Sequence, residues 1–407
     1  MQSPGAMTQA LADVRIVEIG EMVSAPYAAK MLADMGAEVI KVERPRGGDR
    51  ARSMGPFPAS GPDPEQSGLF LSLNVNKLGV TLDIAQPEGF ALLERLVGQA
   101  DILIHNLPPP EMERIGLGFE RLREFNPALI MTSVSPFGLH GPYRDYLAEE
   151  LTLWNAGGAC YINGAGTPDA DVPPLKTFGH PAGYAGGVHA AVATVGALIA
   201  RDLGGGGEHI EVAVQDVMAA TGFGVMFWPF TQTIMTRLGE KVVQPLEAME
   251  AKDGWVFIEA VEEHQWNEFV ELMGRPGWAL EPIFATRQLR AANWDVLRPL
   301  LQGWVKQQNV LDLCRRAQER RIPFAPVSTM RDLLESEHLR ARGFFVGREH
   351  PVAGRLSYPG APAKFSASPW QARRAAPTLG QHNQEIFHGR LGSSAAALAG
   401  LRGRGVI

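Results

Sequence analysis

The chain has 407 residues, 45% hydrophobic and 20% charged, with 38 Lys and Arg against 44 Asp and Glu for a formal charge of −6. That length suits two globular domains or one large domain with an excursion, and no basic excess is present to hold a nucleic-acid partner. Two cysteines, Cys160 and Cys314, are too few for a disulfide framework and fit a cytoplasmic location, and residues 1–13 lack the basic and apolar regions of a secretory signal.

Residues 15–20 form a β-type run, an apolar helical stretch follows over 27–35 with Gly36 as its stop, and 38–43 read as the next strand. After a Gly-, Pro- and Ser-rich loop (46–68), residues 80–84 read as strand. Pro87 then opens a helix to about residue 99, where its missing N–H costs nothing. Residues 101–105 and 129–134 are strands of the buried type, with a short helix at 119–125 between them. Repeated βα units of this kind predict a parallel sheet covered by helices, with ligands bound beyond the carboxyl ends of the strands.

The apolar stretch at 188–200 is shorter than the roughly 20 residues a bilayer span needs. The stretch at 217–235 is interrupted by Pro229. Both read as core helices, and no membrane partner is expected. Past residue 225, a strand at 255–260, a helix at 264–273, amphipathic helical patterns over 294–318 and a strand at 323–327 suggest a smaller α+β domain. From Pro351 the Pro-, Gly-, Arg- and Ala-rich composition suggests a polar, extended tail. The ten histidines form no HExxH and the cysteines no CxxC pair, so no metal site is expected. GxSxG, GxxxxGK[ST] and a strand-linked GxGxxG are all absent.

Four stretches carry a family pattern in order. They are Val39-Ile-Lys-Val-Glu-Arg-Pro45; Asn76-Lys77 leading to Leu82-Asp83 and Pro87-Glu-Gly89; Ala100-Asp-Ile-Leu-Ile-His-Asn106 with Arg114-Ile-Gly-Leu117; and 133–143, with Phe137-Gly138 and Gly141-Pro-Tyr143. Ala376-Pro-Thr-Leu-Gly-Gln-His-Asn383 in the tail adds a fifth. From Leu11 to about Leu391 the chain resembles the class III CoA transferases, the CaiB/BaiF family of acyl-CoA enzymes. The resemblance implies a Rossmann-like large domain with a parallel sheet, a smaller α+β domain, and an interlocked homodimer. On that pattern residues 8–225 are the first part of the large domain, 226–335 the small domain, and 336–407 a segment returning to the large one.

The same resemblance implies coenzyme A or an acyl-CoA as substrate, with contacts carried over to Met22, Val23, Arg44, Leu82, Asn106, Leu107, Arg114 and Ile115. Arginines suit phosphates through bidentate hydrogen bonds, and apolar Leu82, Leu107 and Ile115 suit a flat adenine. Standing alone, Arg44 and Arg114 would read as solvated surface charges. A lysine common in the family is Ala85 here, leaving a phosphate contact to Lys77, Arg46, Arg50 or Arg52.

Class III transferases use an aspartate that attacks the acyl-CoA thioester. Counting back from Arg201, with Gly187-Val-His189 matching a usual Gly-x-His stretch, its place falls on Gly183, and residues 177–188 contain no Asp or Glu. The family's flexible glycine loop before a Gln-Trp pair reads Val261-Glu-Glu-His264 here, ahead of Gln265-Trp266. Related racemases use a His and an Asp as acid and base. Their His falls on Glu149 and their Asp near Gly183, with His180 the nearest titratable group. Glu149, His180, Glu150 and His264 are therefore the catalytic candidates. The alternatives are a dipole-favoured helix N-terminus for Glu149 and Glu150, a turn histidine for His180, and a core histidine for His189. Three functions stay open. One is CoA transfer to a carboxylic acid acceptor by some route other than the aspartyl anhydride; a second is acid–base racemisation, isomerisation or dehydration of an acyl-CoA. The third is a non-catalytic CoA-binding subunit paired with a paralogous chain.

Overall fold

The computed structural model describes residues 9–163, 170–234, 236–238 and 243–407. Most of the stretch searched for a signal lies outside them, as does Met235. The chain divides into two compact units: Met1–Asn163, Pro174–Met235 and Gly343–Ile407 form one, and Gly164–Pro173 with Thr236–Arg342 form the other.

The first unit begins with β1 (Arg15–Ile19), α1 (Ser24–Asp34), β2 (Glu38–Glu43), α2 (Gly68–Leu73), β3 (Lys77–Thr81), α3 (Pro87–Val97) and β4 (Ile102–His105). It continues with α4 (Pro109–Ile115), α5 (Phe119–Phe125), β5 (Ile130–Ser135), α6 (Glu150–Ala156), α7 (Ala159–Ile162), α8 (Pro181–Asp202), β6 (His209–Ala213), α9 (Val214–Thr221) and α10 (Phe227–Thr231). The six strands are parallel in the order β3-β2-β1-β4-β5-β6. Alternation along the strands feeds two cores. Ile16, Ile104 and Ile130 join α1 and α8 on one face, while Val17, Leu103 and Met131 join α3 and the C-terminus on the other.

Strand β3 starts at Lys77, three residues before the apolar run that marks it in the sequence. Lys77 is fully buried there, its ammonium 2.7 Å from Glu18 Oε2, and Glu18 Oε1 accepts from the equally buried Lys41 at 2.8 Å. Charge pairing across β1, β2 and β3 thus buries a lysine that reads as polar loop. Helix α8 spans 22 residues, long and apolar enough by length and composition to cross a membrane, and packs on α1. Small residues permit that approach: a Cβ on Gly187 would lie 2.7 Å from Ser24 O. His189 is exposed on α8, its Nδ1 2.9 Å from Ala185 O, and not a core residue. The stretch after Val217 is not one core helix either. Gly222 ends α9, and Val225, Met226, Trp228 and Phe230 are exposed beyond it.

In the second unit β7 (Leu246–Glu250), β8 (Trp255–Glu259) and the two-residue β9 (Ala325–Pro326) form an antiparallel sheet. Helices α11 (Glu263–Leu272), α12 (Arg287–Ala292), α13 (Trp294–Val305) and α14 (Val310–Glu319) surround a core of Phe269, Leu297, Leu301 and Leu313; α15 (Met330–Glu335) and α16 (Glu337–Ala341) follow.

The tail is not an extended polar segment. It forms the hairpin β10 (Phe345–His350) and β11 (Gly354–Pro359), a π-helical turn at Gln384–Arg390, and α17 (Ala395–Gly403). Ile386, Phe387, Leu398 and Val406 are all fully buried in the first unit's core. A few well-placed apolar residues suffice to anchor a segment whose mean composition is polar.

Candidate active site

Strand order reverses between β1 and β4, and the crevice beyond their carboxyl ends is where such sheets bind ligands. A cleft of about 740 Å³ opens there. The β1–α1 junction supplies Glu21, Met22, Val23 and Ser24; the β4–α4 junction supplies Asn106, Leu107 and three prolines, 108–110. Asn106 joins the two loops. Its Oδ1 accepts from Glu21 N at 2.9 Å, and its Nδ2 donates to Glu21 O at 2.8 Å and Ser24 Oγ at 3.0 Å.

Met22 has φ 61, a left-handed backbone unusual for a side-chain-bearing residue. Buried Asp49 holds it there by accepting from Met22 N and Ala51 N, each at 2.8 Å, while Lys41 lies 2.9 Å from its other oxygen. Burial works against the Lys41 ammonium, yet Asp49, Glu18 and Glu43 outweigh it and raise its pKa. Burial pushes Lys77 down to about 8, against the pull of Glu18. Lys77 is sealed in this network, and Arg52 is buried against Glu43 at 2.7 Å and Glu65 at 2.8 Å. Neither reaches the cleft, which removes both as replacements for the lysine missing at Ala85.

The opposite wall of the cleft comes from α6, α8 and the segment before α6. Glu149, Glu150, His180 and Gly183 all line it. The Glu150 carboxylate caps α8: Oε1 accepts from Ala182 N at 2.8 Å and Oε2 from Gly183 N at 3.0 Å. A Cβ placed on Gly183 would lie 3.6 Å from Glu150 Oε2 and 3.0 Å from Val23 Cβ. A carboxylate thus stands against the backbone of residue 183, although residue 183 carries none. Glu149 is more open and accepts from Arg50 Nη1 at 3.1 Å; Arg50 also lies 3.0 Å from Glu21, which is paired with Arg44 as well. His180 stands at the start of α8, ahead of Pro181.

Among the expected ligand contacts, Met22, Val23, Arg44, Asn106 and Leu107 line the cleft together with Glu149, Glu150 and His180. The other three lie elsewhere in the same unit. Leu82 is buried in the core beside β3. Arg114 is 61% exposed on α4, 3.8 Å from Glu111, and Ile115 packs against the core. His264 belongs to the second unit, in the first turn of α11. There residues 262–265 form a capped helix start, not a glycine-like loop: Gln265 Oε1 accepts from Glu262 N at 3.1 Å, and Glu263 pairs with Arg290 at 3.0 Å.

Sequence reasoning missed Glu21, Arg144 and Tyr146 as lining residues. Glu21 was findable, since it directly follows the first strand. Arg144 and Tyr146 carry no local signal, because the chain after Gly141 has no regular element before α6.

A doubly wound sheet with a cleft at its reversal point, edged by arginines and carboxylates, defines an α/β protein with a ligand-sized site at its topological switch point. Residues 11–383 match CoA-transferase family III, and the chain belongs to that family as an enzyme of CoA-transferase type. It is 33% identical over 404 residues, 98% of both chains, to a succinyl-CoA–D-citramalate CoA-transferase of Chloroflexus aurantiacus. It is 30% identical over 416 residues to the alpha subunit of a succinyl-CoA–L-malate CoA-transferase of Chloroflexus aurantiacus, covering 100% of this chain and 95% of that one. The crystal structure of a CaiB/BaiF family protein from Brucella suis superposes with a TM-score of 0.84 at 27% identity, covering 94% of this chain and 99% of that one.

Proposed function

We propose that this protein transfers CoA from an acyl-CoA to a carboxylic acid acceptor in the cleft between the β1 and β4 loops, with Glu150 as the reacting carboxylate. The supporting observation is the placement of Glu150 against Gly183 N, in a cleft shared with Met22, Val23, Arg44, Asn106 and Leu107. These five residues are the proposed CoA contacts. Glu150 attacks the thioester carbonyl, the C–S bond breaks, and CoA leaves as thiolate, giving a glutamyl–acyl anhydride. The thiolate then attacks the glutamyl carbonyl, the first acid departs, and a glutamyl-CoA thioester remains. An acceptor carboxylate reverses the two steps. Relatives named for succinyl, malate and citramalate transfer support a dicarboxylic acid as the acceptor class.

Glu149 and His180 in the same cleft favour one second reading, acid–base chemistry at the α-carbon of an acyl-CoA. The exposed Tyr161, Phe178, Trp228 and Phe230 support assembly with a second copy or a paralogous subunit, read out by mass in solution.

The test is to supply succinyl-CoA with a panel of acids and follow new CoA esters by chromatography, trapping with hydroxylamine during turnover. Transfer with modification mapped to Glu150 supports the reading. Solvent deuterium entering the α-carbon without transfer supports the acid–base alternative. Absence of CoA affinity overturns both.

A further inference from the structure

Arg44, Arg50 and Arg144 line the cleft. Each is paired with carboxylates, and the partners set them apart. Arg44 pairs with Glu21, while Arg144 pairs with Glu113 on α4 and lies 3.3 Å from Asp145. Of the three, only Arg50 is paired beside the proposed reacting carboxylate. Its Nε donates to Glu21 Oε2 at 3.0 Å and its Nη1 to Glu149 Oε1 at 3.1 Å, and Glu149 is the residue before Glu150. Arg50 Nη2 donates to none of the described residues.

The backbone at this point is fixed, while the side chain can change partners. Arg50 opens a single helical turn, Arg50–Ser53, flanked by two sealed groups. Buried Asp49 caps the turn, its Oδ1 accepting from Ala51 N at 2.8 Å, and buried Arg52 is held 2.7 Å from Glu43. Arg50 itself is 57% exposed and Glu149 71%. An ion pair so open to water is weak, so a ligand carboxylate can replace Glu149 at little cost. The Nη1–Nη2 edge of a guanidinium receives a carboxylate through two parallel hydrogen bonds.

We propose that Arg50 is a specificity-determining residue: its guanidinium takes the second carboxylate of a dicarboxylic acid, or of its CoA ester, and gives up Glu149 as it does so. The reacting carboxyl of the same molecule then lies towards Glu150, whose neighbour in sequence Arg50 has just released. A ligand with a methyl group in place of the second carboxylate leaves Arg50 and Glu149 paired. It must set an apolar end against two charges, and a site built around a charged group rejects the analogue that lacks it. This anchor rests on the CoA-transfer reading above; Arg50 binds and orients, and takes no part in bond making.

Succinyl-CoA and butyryl-CoA differ by that second carboxylate, and free CoA carries neither acyl group. Dissociation constants from competition with a fluorescent CoA analogue should favour succinyl-CoA over butyryl-CoA by about tenfold in wild type. Arg50→Gln should cut the preference to about twofold or less by weakening succinyl-CoA alone, with Arg50→Lys between the two. Glu149→Gln, which frees Arg50, should tighten succinyl-CoA about threefold and leave butyryl-CoA unchanged. Equal weakening of all the CoA ligands in Arg50→Gln overturns the proposal and gives Arg50 to a CoA phosphate. A preference that survives Arg50→Gln, no preference in wild type, or no tightening in Glu149→Gln overturns it as well. If no CoA ester binds, the CoA reading fails, and calorimetry with millimolar succinate and butyrate still decides the anchor. Succinate binding lost in Arg50→Gln upholds it; equal behaviour of the two acids overturns it.

Discussion

On the proposed function, Glu150 supplies from α6 the carboxylate that residue 183 does not carry. Glycine at 183 leaves Val23 room, since a Cβ there would sit 3.0 Å from Val23 Cβ, and the carboxylate arrives from α6 instead. Glu150→Gln keeps the shape but removes the nucleophile, so CoA transfer should fall on the order of 10³-fold or more while CoA affinity holds. Gly183→Asp adds a carboxylate and crowds Val23; urea unfolding should register a loss of about 1–3 kcal/mol, eased by adding Val23→Ala. The lack of any carboxylate over residues 177–188 was legible in the sequence, and the resemblance with an ungapped count pointed to 183 within it. The proposed substitute was legible only as one candidate among four. Choosing Glu150 requires a contact 33 residues away in sequence, made by α6 packing against α8.

At the scale of elements, the strands and helices of the first unit were readable because buried parallel strands are continuous apolar runs. The exceptions follow from pairing and anchoring. Lys77 belongs to β3 because Glu18 neutralises it, and the tail folds because its sparse apolar residues fall on the sheet's open face. The tail also closes the β3 edge. Thr81 N donates to Asn383 Oδ1 at 2.8 Å, Asn383 Nδ2 donates to Thr81 Oγ1 at 2.7 Å, and His382 N donates to Gly79 O at 2.9 Å. An edge strand left bare invites pairing with other chains. Asn383→Ala strands the buried Thr81 groups and should cost about 1–3 kcal/mol in denaturant unfolding, with a rise in aggregation on dilution from urea.

For the molecule as a whole, two linked equilibria give measurable consequences. His105 binds its proton near pH 3 when folded and near 6.5 when unfolded, so the unfolded chain takes up more protons on acidification. Stability should therefore fall as pH drops below about 6.5, with this residue contributing up to about 1.4 kcal/mol per pH unit, and His105→Gln should remove that share in pH-resolved melts. CoA at about 100 times its dissociation constant should add about 2.7 kcal/mol to the unfolding free energy, and raise the melting temperature accordingly. With a net charge of −6, attraction for an anionic ligand has to be local, through Arg44, Arg50 and Arg144, each of which would trade a carboxylate partner for it. Added salt should weaken CoA binding.

Local sequence alone encodes the parallel α/β architecture, the family pattern from Leu11 onward, and the lack of any Asp or Glu over residues 177–188. Each of these is encoded locally, in apolar periodicity, in turn residues, or in the spacing of a motif. Only the folded chain settles which ion pairs are sealed and which stay open to solvent. Lys77 and Arg52 disappear into buried ion pairs, Arg44 and Arg50 stay at the cleft, and Glu150 alone among the candidate acids is held at Gly183 N. Charged side chains look alike in one dimension; burial and partners supplied by distant elements set what each can do.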